Sequence, residues 1–90
     1  MKYDIFRTAS FKKGFKKLSS KHQEEAFIVI ELLANGDALP QKYKDHLLSG
    51  NYKGCRECHI RPDLLLIYRI NEGILELALI EVGSHSDLFG

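Results

Sequence analysis

Three histidines and one aspartate in the second half of the chain are the residues best suited to proton transfer. His46, His59 and Asp63 precede a final segment in which His85 is followed four residues later by Phe89. Imidazole titrates near neutral pH, so one histidine can act as a base while another acts as an acid. Phenylalanine can stack on a nucleic-acid base. These side chains suit RNA cleavage, in which a base removes a 2′-hydroxyl proton and an acid protonates the leaving 5′-oxygen.

Cations close to the histidines in sequence would complete such a site. Lys53, Arg56 and Arg61 could each neutralise charge on phosphoryl oxygens. The chain lacks the usual motifs of phosphate-binding loops, serine hydrolases and zinc proteases. We therefore expect catalysis without a metal or any other cofactor.

Two cysteines raise a different possibility, because residues 55–59 read Cys-Arg-Glu-Cys-His, the C-x-x-C-H pattern of haem attachment. In a strand, residues three apart point to opposite faces, so Cys55 and Cys58 should diverge as two half-buried residues. A zinc site would need a mixture of His46, His59, His85 and one cysteine. A haem or metal binder would reveal itself by visible absorbance or bound zinc.

The 90 residues, 44% hydrophobic and 28% charged, predict a single domain over residues 1–90. No apolar run approaches the ~20 residues that span a bilayer. The N-terminus has the pattern of a strand rather than of a signal peptide. We therefore expect a cytoplasmic protein that does not enter membranes and whose thiols are reduced.

Hydrophobic periodicity predicts an α+β fold with the order β-α-α-β-β-β, a helical hairpin packed on a small antiparallel sheet. The strands are expected at 2–7, 55–60, 64–70 and 74–82, and residues 37–53 are expected to form a loop. Thr8 should cap the first helix, and Ser20 with Gln23 should form a capping box for the second. The second helix should end near residue 34 and bury five residues: Ala26, Phe27, Ile30, Leu33 and Ala34.

This arrangement brings the proton-transfer residues together. His59 and Asp63 flank the turn after the second strand, and His85 follows the fourth strand, with Gly83 allowing a sharp change of direction. Only one strand separates the second strand from the fourth. We therefore expect the side chains of His59, Asp63 and His85 to converge.

Positive charge is concentrated at the start of the chain. Residues 1–21 carry seven basic residues and one acidic residue, although the net charge of the whole chain is only +1. Such a segment suits a polyanion or an acidic protein partner, or else a solvated helix face that maintains solubility.

Four blocks of residues occur together in the second half of the chain. They are Asp45-His46-x-Leu48-x-Gly50, Lys53-Gly54-x-Arg56-x-x-His59, Pro62-Asp63-x-x-Leu66-Ile67-Tyr68 and Gly83-Ser84-His85-x-x-Leu88-Phe89. In order and spacing they resemble YafQ-type toxins of the RelE-like (RelE/ParE) superfamily of bacterial toxin–antitoxin systems. The resemblance implies a ribosome-dependent mRNA endonuclease that contacts ribosomal RNA and is neutralised by a cognate antitoxin.

The resemblance also implies roles for individual residues. The family's catalytic positions correspond to His46, His59, Asp63 and His85, and Phe89 corresponds to a base-stacking or positioning residue. His85 is then the general acid, His59 and Asp63 are on the base side, and His46 orients the phosphate or shares in proton transfer.

Two positions depart from the family pattern. Leu64 stands where close relatives can have an aromatic residue, and Glu81 stands where they can have a basic one. Both departures bear on RNA binding. Related ParE-type toxins inhibit DNA gyrase without cutting RNA, so a non-catalytic binding toxin, or a degenerate inactive one, is the alternative.

Overall fold

A five-stranded sheet with two helices on one face forms the framework of the protein. The computed structural model describes residues 1–90. The strands are β1 (Asp4–Arg7), β2 (His46–Leu47), β3 (Arg56–Arg61), β4 (Leu64–Asn71) and β5 (Glu76–Gly83). The helices are α1 (Ala9–Lys16), α2 (Ser20–Ala34) and α3 (His85–Phe89), and short 3₁₀ turns occupy Gln41–Tyr43 and Gly50–Tyr52.

The predicted α+β class and the order of its main elements are confirmed, and the sheet differs in two details. The strand order is β1-β5-β4-β3-β2, and β1 pairs with β5 in parallel, so the sheet is mixed rather than wholly antiparallel. The region expected to be a loop contributes the two-residue strand β2, which pairs with β3. Strands this short carry too few residues for a period to be visible in sequence.

The caps of the two long helices were predicted with mixed success. Thr8 caps α1 as expected, because its hydroxyl accepts a hydrogen bond from the Phe11 amide at 3.0 Å. The cap of α2 is Ser19, one residue before the predicted one, and it accepts from the amide of His22. Gln23 donates instead to the Phe15 carbonyl at 3.0 Å, so the predicted capping box is wrong. Ser19 has the extended backbone that an N-cap requires.

The buried face of α2 also differs from the prediction at one position. Ala26, Ile30, Leu33 and Ala34 are buried as expected, and Val29 joins them. Phe27 is 52% exposed, because it lies beside this stripe and makes an edge contact with Phe15. The helix ends as predicted at Asn35, followed by Gly36 with a φ of +80°.

The central strand β4 is buried on both faces. Leu66 and Tyr68 belong to the core beneath the helices, together with Cys58 of β3 and Leu77 and Leu79 of β5. Leu65 and Ile67 alternate with them and lie outside that core, yet they have no exposed surface. The second face of the sheet is therefore covered as well, in part by α3, which contacts β5. A run that is apolar at every position, as residues 64–68 are, is the sequence pattern of a strand with both faces covered.

Both cysteines are free and buried, rather than half-buried as expected. Cys58 lies in the core beneath the helices and Cys55 does not, which confirms that they diverge. Burial raises the pKa of the Cys58 thiol to about 12, so the free thiol keeps its proton near neutral pH. None of the three helices has the length and apolarity needed to cross a membrane.

Candidate active site

The register of the sheet places the candidate residues on the face opposite the two long helices. One row across β3, β4 and β5 consists of His59, Leu65 and Gly83. A neighbouring row across the same strands consists of Glu57, Ile67 and Glu81. His46 of β2 is paired with Glu57. Because directly paired residues project from the same face, these side chains share one surface of the sheet.

The three histidines form a row across this surface. The ring centres of His46 and His59 are 6.1 Å apart, and those of His59 and His85 are 6.3 Å apart. Phe89 continues the row, 5.8 Å from His85, and Tyr52 follows at 5.8 Å from Phe89. The expected convergence of His59 and His85 is therefore present, and His46 joins them. Such a row can hold an acid and a base on either side of one phosphate.

Glu57 lies beneath the row and was not among the predicted site residues. Its carboxylate is buried, and Oε1 lies 3.4 Å from Nε2 of His46 and 3.6 Å from Nε2 of His59. Oε2 has no hydrogen-bond partner. The signal in sequence was the spacing of Glu57 and His59, since residues two apart in a strand share a face.

Backbone carbonyls set the orientation of the two histidine rings on the strands. Nδ1 of His46 lies 2.8 Å from the carbonyl oxygen of Lys44, and Nδ1 of His59 lies 3.4 Å from that of Pro62. A carbonyl can only accept, so Nδ1 of His46 carries a hydrogen and Nε2 faces Glu57. This Nε2 is therefore the atom available for exchange of a proton.

Asp63 lies beside His85 rather than beside His59. Its Oδ1 accepts a hydrogen bond from the backbone amide of His85 at 3.1 Å and lies 3.7 Å from the ring Nδ1. The expectation that Asp63 sits with His59 on the base side is not what the contacts show. The reason is that His85 begins a helix, which turns its amide towards the β3–β4 turn that carries Asp63.

The C-terminal segment forms the helix α3, whereas the sequence indicated only a change of direction at Gly83. Ser84 and Asp87 form a reciprocal capping box at its start. The hydrogen bonds from Ser84 hold the pKa of Asp87 below its usual range. A side chain at Gly83 would approach that of Asp87 to 3.1 Å, so the glycine makes room for this cap. The cap positions both His85 and Phe89.

Two of the three cations predicted to bind RNA already have partners. Arg56 lies 2.9 Å from Asp45, which also accepts from the hydroxyl of the buried Tyr68. Arg61 forms a two-pronged ion pair with Glu25 of α2, at 2.6 and 3.1 Å. Lys53 is exposed and has no such partner. Of the three, only Lys53 can meet a phosphate without breaking an ion pair.

Glu81, one of the two departures from the family pattern, accepts a hydrogen bond from the hydroxyl of Tyr52. This bond raises the pKa of Tyr52 to about 12, because the hydroxyl must keep its proton to donate to the carboxylate. Tyr52 in turn packs against Phe89. A carboxylate thus supports the aromatic end of the row.

The ligand atoms of His46, Glu57 and His59 lie within 4.8 Å of one another, which is close enough for a metal ion to bind all three. Two imidazoles and a carboxylate are a suitable donor set for zinc. The same Nε2 atoms cannot hold a metal and transfer a proton together.

The histidine row and its two carboxylates define a small α+β protein with an acid–base site on one face of its sheet. The model of the family described as the bacterial toxin of a type II toxin–antitoxin system, YafQ, matches residues 3–90. The chain therefore belongs to the YafQ family of bacterial type II toxins.

Individual relatives agree over nearly the whole chain. The mRNA interferase toxin YafQ of Escherichia coli K12 is 33% identical over 90 residues, which are 97% of this chain and 96% of that protein. The crystal structure of YafQ from E. coli BL21(DE3) superposes with a TM-score of 0.88, and the match covers 98% of this chain and 99% of that one. A metal-bound toxin from Helicobacter pylori is 39% identical over 97% of this chain and 99% of its own, with a TM-score of 0.84.

Proposed function

We propose that this toxin is an mRNA endoribonuclease that cleaves transcripts on the ribosome by acid–base catalysis without a metal. The observation that carries the proposal is the row of three histidines backed by Glu57 and Asp63 in a chain whose E. coli relative is named an mRNA interferase. A toxin that only binds a target, such as a gyrase inhibitor, has no need of such a row.

The reaction we assign to the site is a transesterification. His59 removes the proton from a ribose 2′-hydroxyl, and the oxygen attacks the adjacent phosphorus. The bond from phosphorus to the 5′-oxygen breaks, and His85 protonates that oxygen. The products are a 2′,3′-cyclic phosphate and a free 5′-hydroxyl, so no external water or oxidant is consumed.

The two carboxylates are positioning residues in this scheme. Glu57 faces Nε2 of both His46 and His59, where it stabilises the imidazolium that forms when His59 takes the proton. Asp63 holds His85 through its backbone amide and lies beside its ring. His46 shares Glu57 with His59, and we assign it to orienting the phosphate.

We base the proposed mode of RNA binding on the charged groups around the site. We assign Lys53 to the phosphoryl oxygens, since Arg56 and Arg61 face carboxylates, and Phe89 to stacking against a base. The exposed lysines of α1, including Lys12, Lys13 and Lys16, provide a basic surface for ribosomal RNA.

We further propose that a cognate antitoxin neutralises this toxin in the cytoplasm. The E. coli relative has been crystallised as a DinJ–YafQ toxin–antitoxin complex, whose toxin superposes on this chain with a TM-score of 0.86. An acidic antitoxin segment would be attracted to the same α1 lysines that suit RNA.

Induced expression in bacteria tests the proposal, with growth followed and new 5′ ends mapped on a reporter message. We expect the wild type to arrest growth and to cut within translated regions, and His85→Gln to do neither. His22→Gln removes a histidine outside the row and should behave as the wild type. Growth arrest that survives His85→Gln without transcript cuts would overturn the proposal in favour of a binding toxin.

A further inference from the structure

An open pocket of about 450 Å³ lies between α2 and the 3₁₀ turn Gln41–Tyr43, and its lining includes His59 but not His85. Its walls include Glu25 and Ile28 of α2, Lys42, Lys44, and Arg61 at the end of β3. His59 lines the pocket and also belongs to the histidine row, so the pocket borders the candidate active site.

The charges of the pocket suit a phosphate. Its lining includes three cations, Lys42, Lys44 and Arg61, and a single carboxylate, that of Glu25. The two lysines are exposed and make no ion pair, and Arg61 presents to Glu25 the fork that also matches two phosphate oxygens. A bound phosphate would therefore meet two ammonium groups that make no ion pair, whereas Arg61 is held by Glu25.

The remaining walls suit the flat, apolar part of a nucleotide. Ile28 is 58% exposed, and the half-buried Tyr43 lines the same pocket, with the ammonium of Lys42 5.1 Å from its ring centre. Exposed apolar surface beside cations is the combination found where single-stranded RNA is bound by stacking and by its backbone.

A direct contact joins the pocket to the catalytic histidines. The carbonyl of Lys44 accepts the hydrogen bond from Nδ1 of His46, so the segment that carries the two lysines also orients one histidine of the row. Lys44 adopts a left-handed backbone conformation, with a φ of 49°. RNA bound in the pocket would therefore lie against the segment that also orients His46.

We propose that this pocket binds the nucleotide on the 5′ side of the cleaved bond, with its phosphate held by Lys42 and Lys44. The assignment of the pocket to the 5′ side rests on the proposed function, in which His59 takes the proton of the attacking 2′-hydroxyl. The nucleotide with that hydroxyl lies upstream of the cleaved phosphate, and His85, which does not line the pocket, serves the downstream oxygen.

The test is single-turnover cleavage of a short message on programmed ribosomes at a series of salt concentrations. We expect Lys42→Gln and Lys44→Gln each to raise the half-saturating toxin concentration about three- to fivefold, while the rate at saturation changes less than about twofold. Each loss should reduce the slope of log affinity against log salt by about 0.7. Lys2→Gln, an equal loss of charge outside the pocket, should change neither quantity.

Glu25→Gln supplies a change of the opposite sign. It frees Arg61 for phosphate, so we expect a lower half-saturating concentration. General damage to the fold would not strengthen binding, so this variant distinguishes a loss of phosphate contacts from a loss of folding. If the two pocket lysines behave as Lys2 does, the pocket does not bind RNA.

The direction in which the RNA lies across the site is tested with uncharged methylphosphonate linkages placed upstream or downstream of the mapped cut. An upstream replacement should weaken cleavage by the wild type and add little to the defect of Lys42→Gln. If the downstream replacement shows this non-additivity instead, the proposed direction is wrong. If the wild type cuts no message, the proposed function is refuted. If the wild type cuts and the two lysine variants cut equally well, only the proposed role of the pocket is refuted.

Discussion

At one end of the histidine row, His46 and His59 stand on strands and face Glu57, whose side chain is 5% exposed. At the other end, His85 stands on a five-residue helix beside Asp63, and these side chains are 60% and 73% exposed. The first pair is oriented by the register of the sheet and by buried contacts. The second pair is oriented by a few exposed hydrogen bonds. We infer that substitutions at the first end change activity and stability together, and that those at the second end change activity alone.

The largest effect that separates the two ends is expected for Glu57→Gln. Loss of the charge facing His46 and His59 should slow cleavage about a hundredfold. The same change removes a buried carboxylate whose Oε2 has no partner, so the free energy of unfolding should rise by about 1 kcal/mol.

Urea unfolding and single-turnover cleavage measure the two quantities for Glu57→Gln. Glu31→Gln, on the exposed side of α2, is the matched control and should change neither. A marked fall in stability without a loss of activity would show that Glu57 is a structural residue only.

At the other end, Asp63→Asn should slow cleavage about tenfold and leave the free energy of unfolding within about 0.5 kcal/mol of the wild type. Asparagine keeps the oxygen that accepts from the His85 amide and removes only the charge. The comparison of the two ends would fail if Asp63→Asn destabilised the protein as strongly as a core substitution.

A smaller effect is expected where Glu81 supports the aromatic end of the row. Tyr52→Phe keeps the ring against Phe89 and removes the hydroxyl that donates to Glu81, so cleavage should fall about threefold. Tyr3→Phe removes a hydroxyl that donates to Glu72 at 2.7 Å, far from the row in the fold, and should leave the rate unchanged. Equal rates for both variants and the wild type would show that this bond does not position Phe89.

The smallest effect concerns the pH dependence of α3. Because the pKa of Asp87 is held below its usual range, its cap contributes stability above the pKa of unfolded aspartate, about 3.9, and loses it as pH falls through the folded value. We expect the amide signals of Leu88 and Phe89 in NMR spectra to move towards unfolded positions over this interval. In Asp87→Asn the same signals should no longer move over this pH interval. If they move as in the wild type, the change is due to another carboxyl group.

The sequence was most informative where a pattern continues over many residues. The apolar run at 64–68 is the pattern of a strand with both faces covered, and the end of α2 followed from Asn35 and Gly36. Once the strands were predicted, their order was sufficient to predict that His59 and His85 lie close together. The roles that we assign to individual residues rest on the family resemblance and not on spacing.

What the sequence left out depends on contacts between distant residues. Glu57 is a carboxylate in a strand, and only the pairing of β2 with β3 shows that His46 faces it. Gly14 lies in the middle of α1, and only the fold shows that a side chain there would come within 2.4 Å of the Val82 carbonyl oxygen. The partners of Arg56 and Arg61 are likewise 11 and 36 residues away along the chain.

The most direct test of the central claim is the chemistry of the cut ends. A message with an ordinary ribose at the mapped cleavage site, and a second with a 2′-deoxyribose there, are offered to the toxin on programmed ribosomes, and the fragments are analysed by mass spectrometry. Transesterification by His59 and His85 predicts a 2′,3′-cyclic phosphate from the first message and no cut in the second. Cleavage of the deoxy message, or a plain 3′-hydroxyl end, would contradict it.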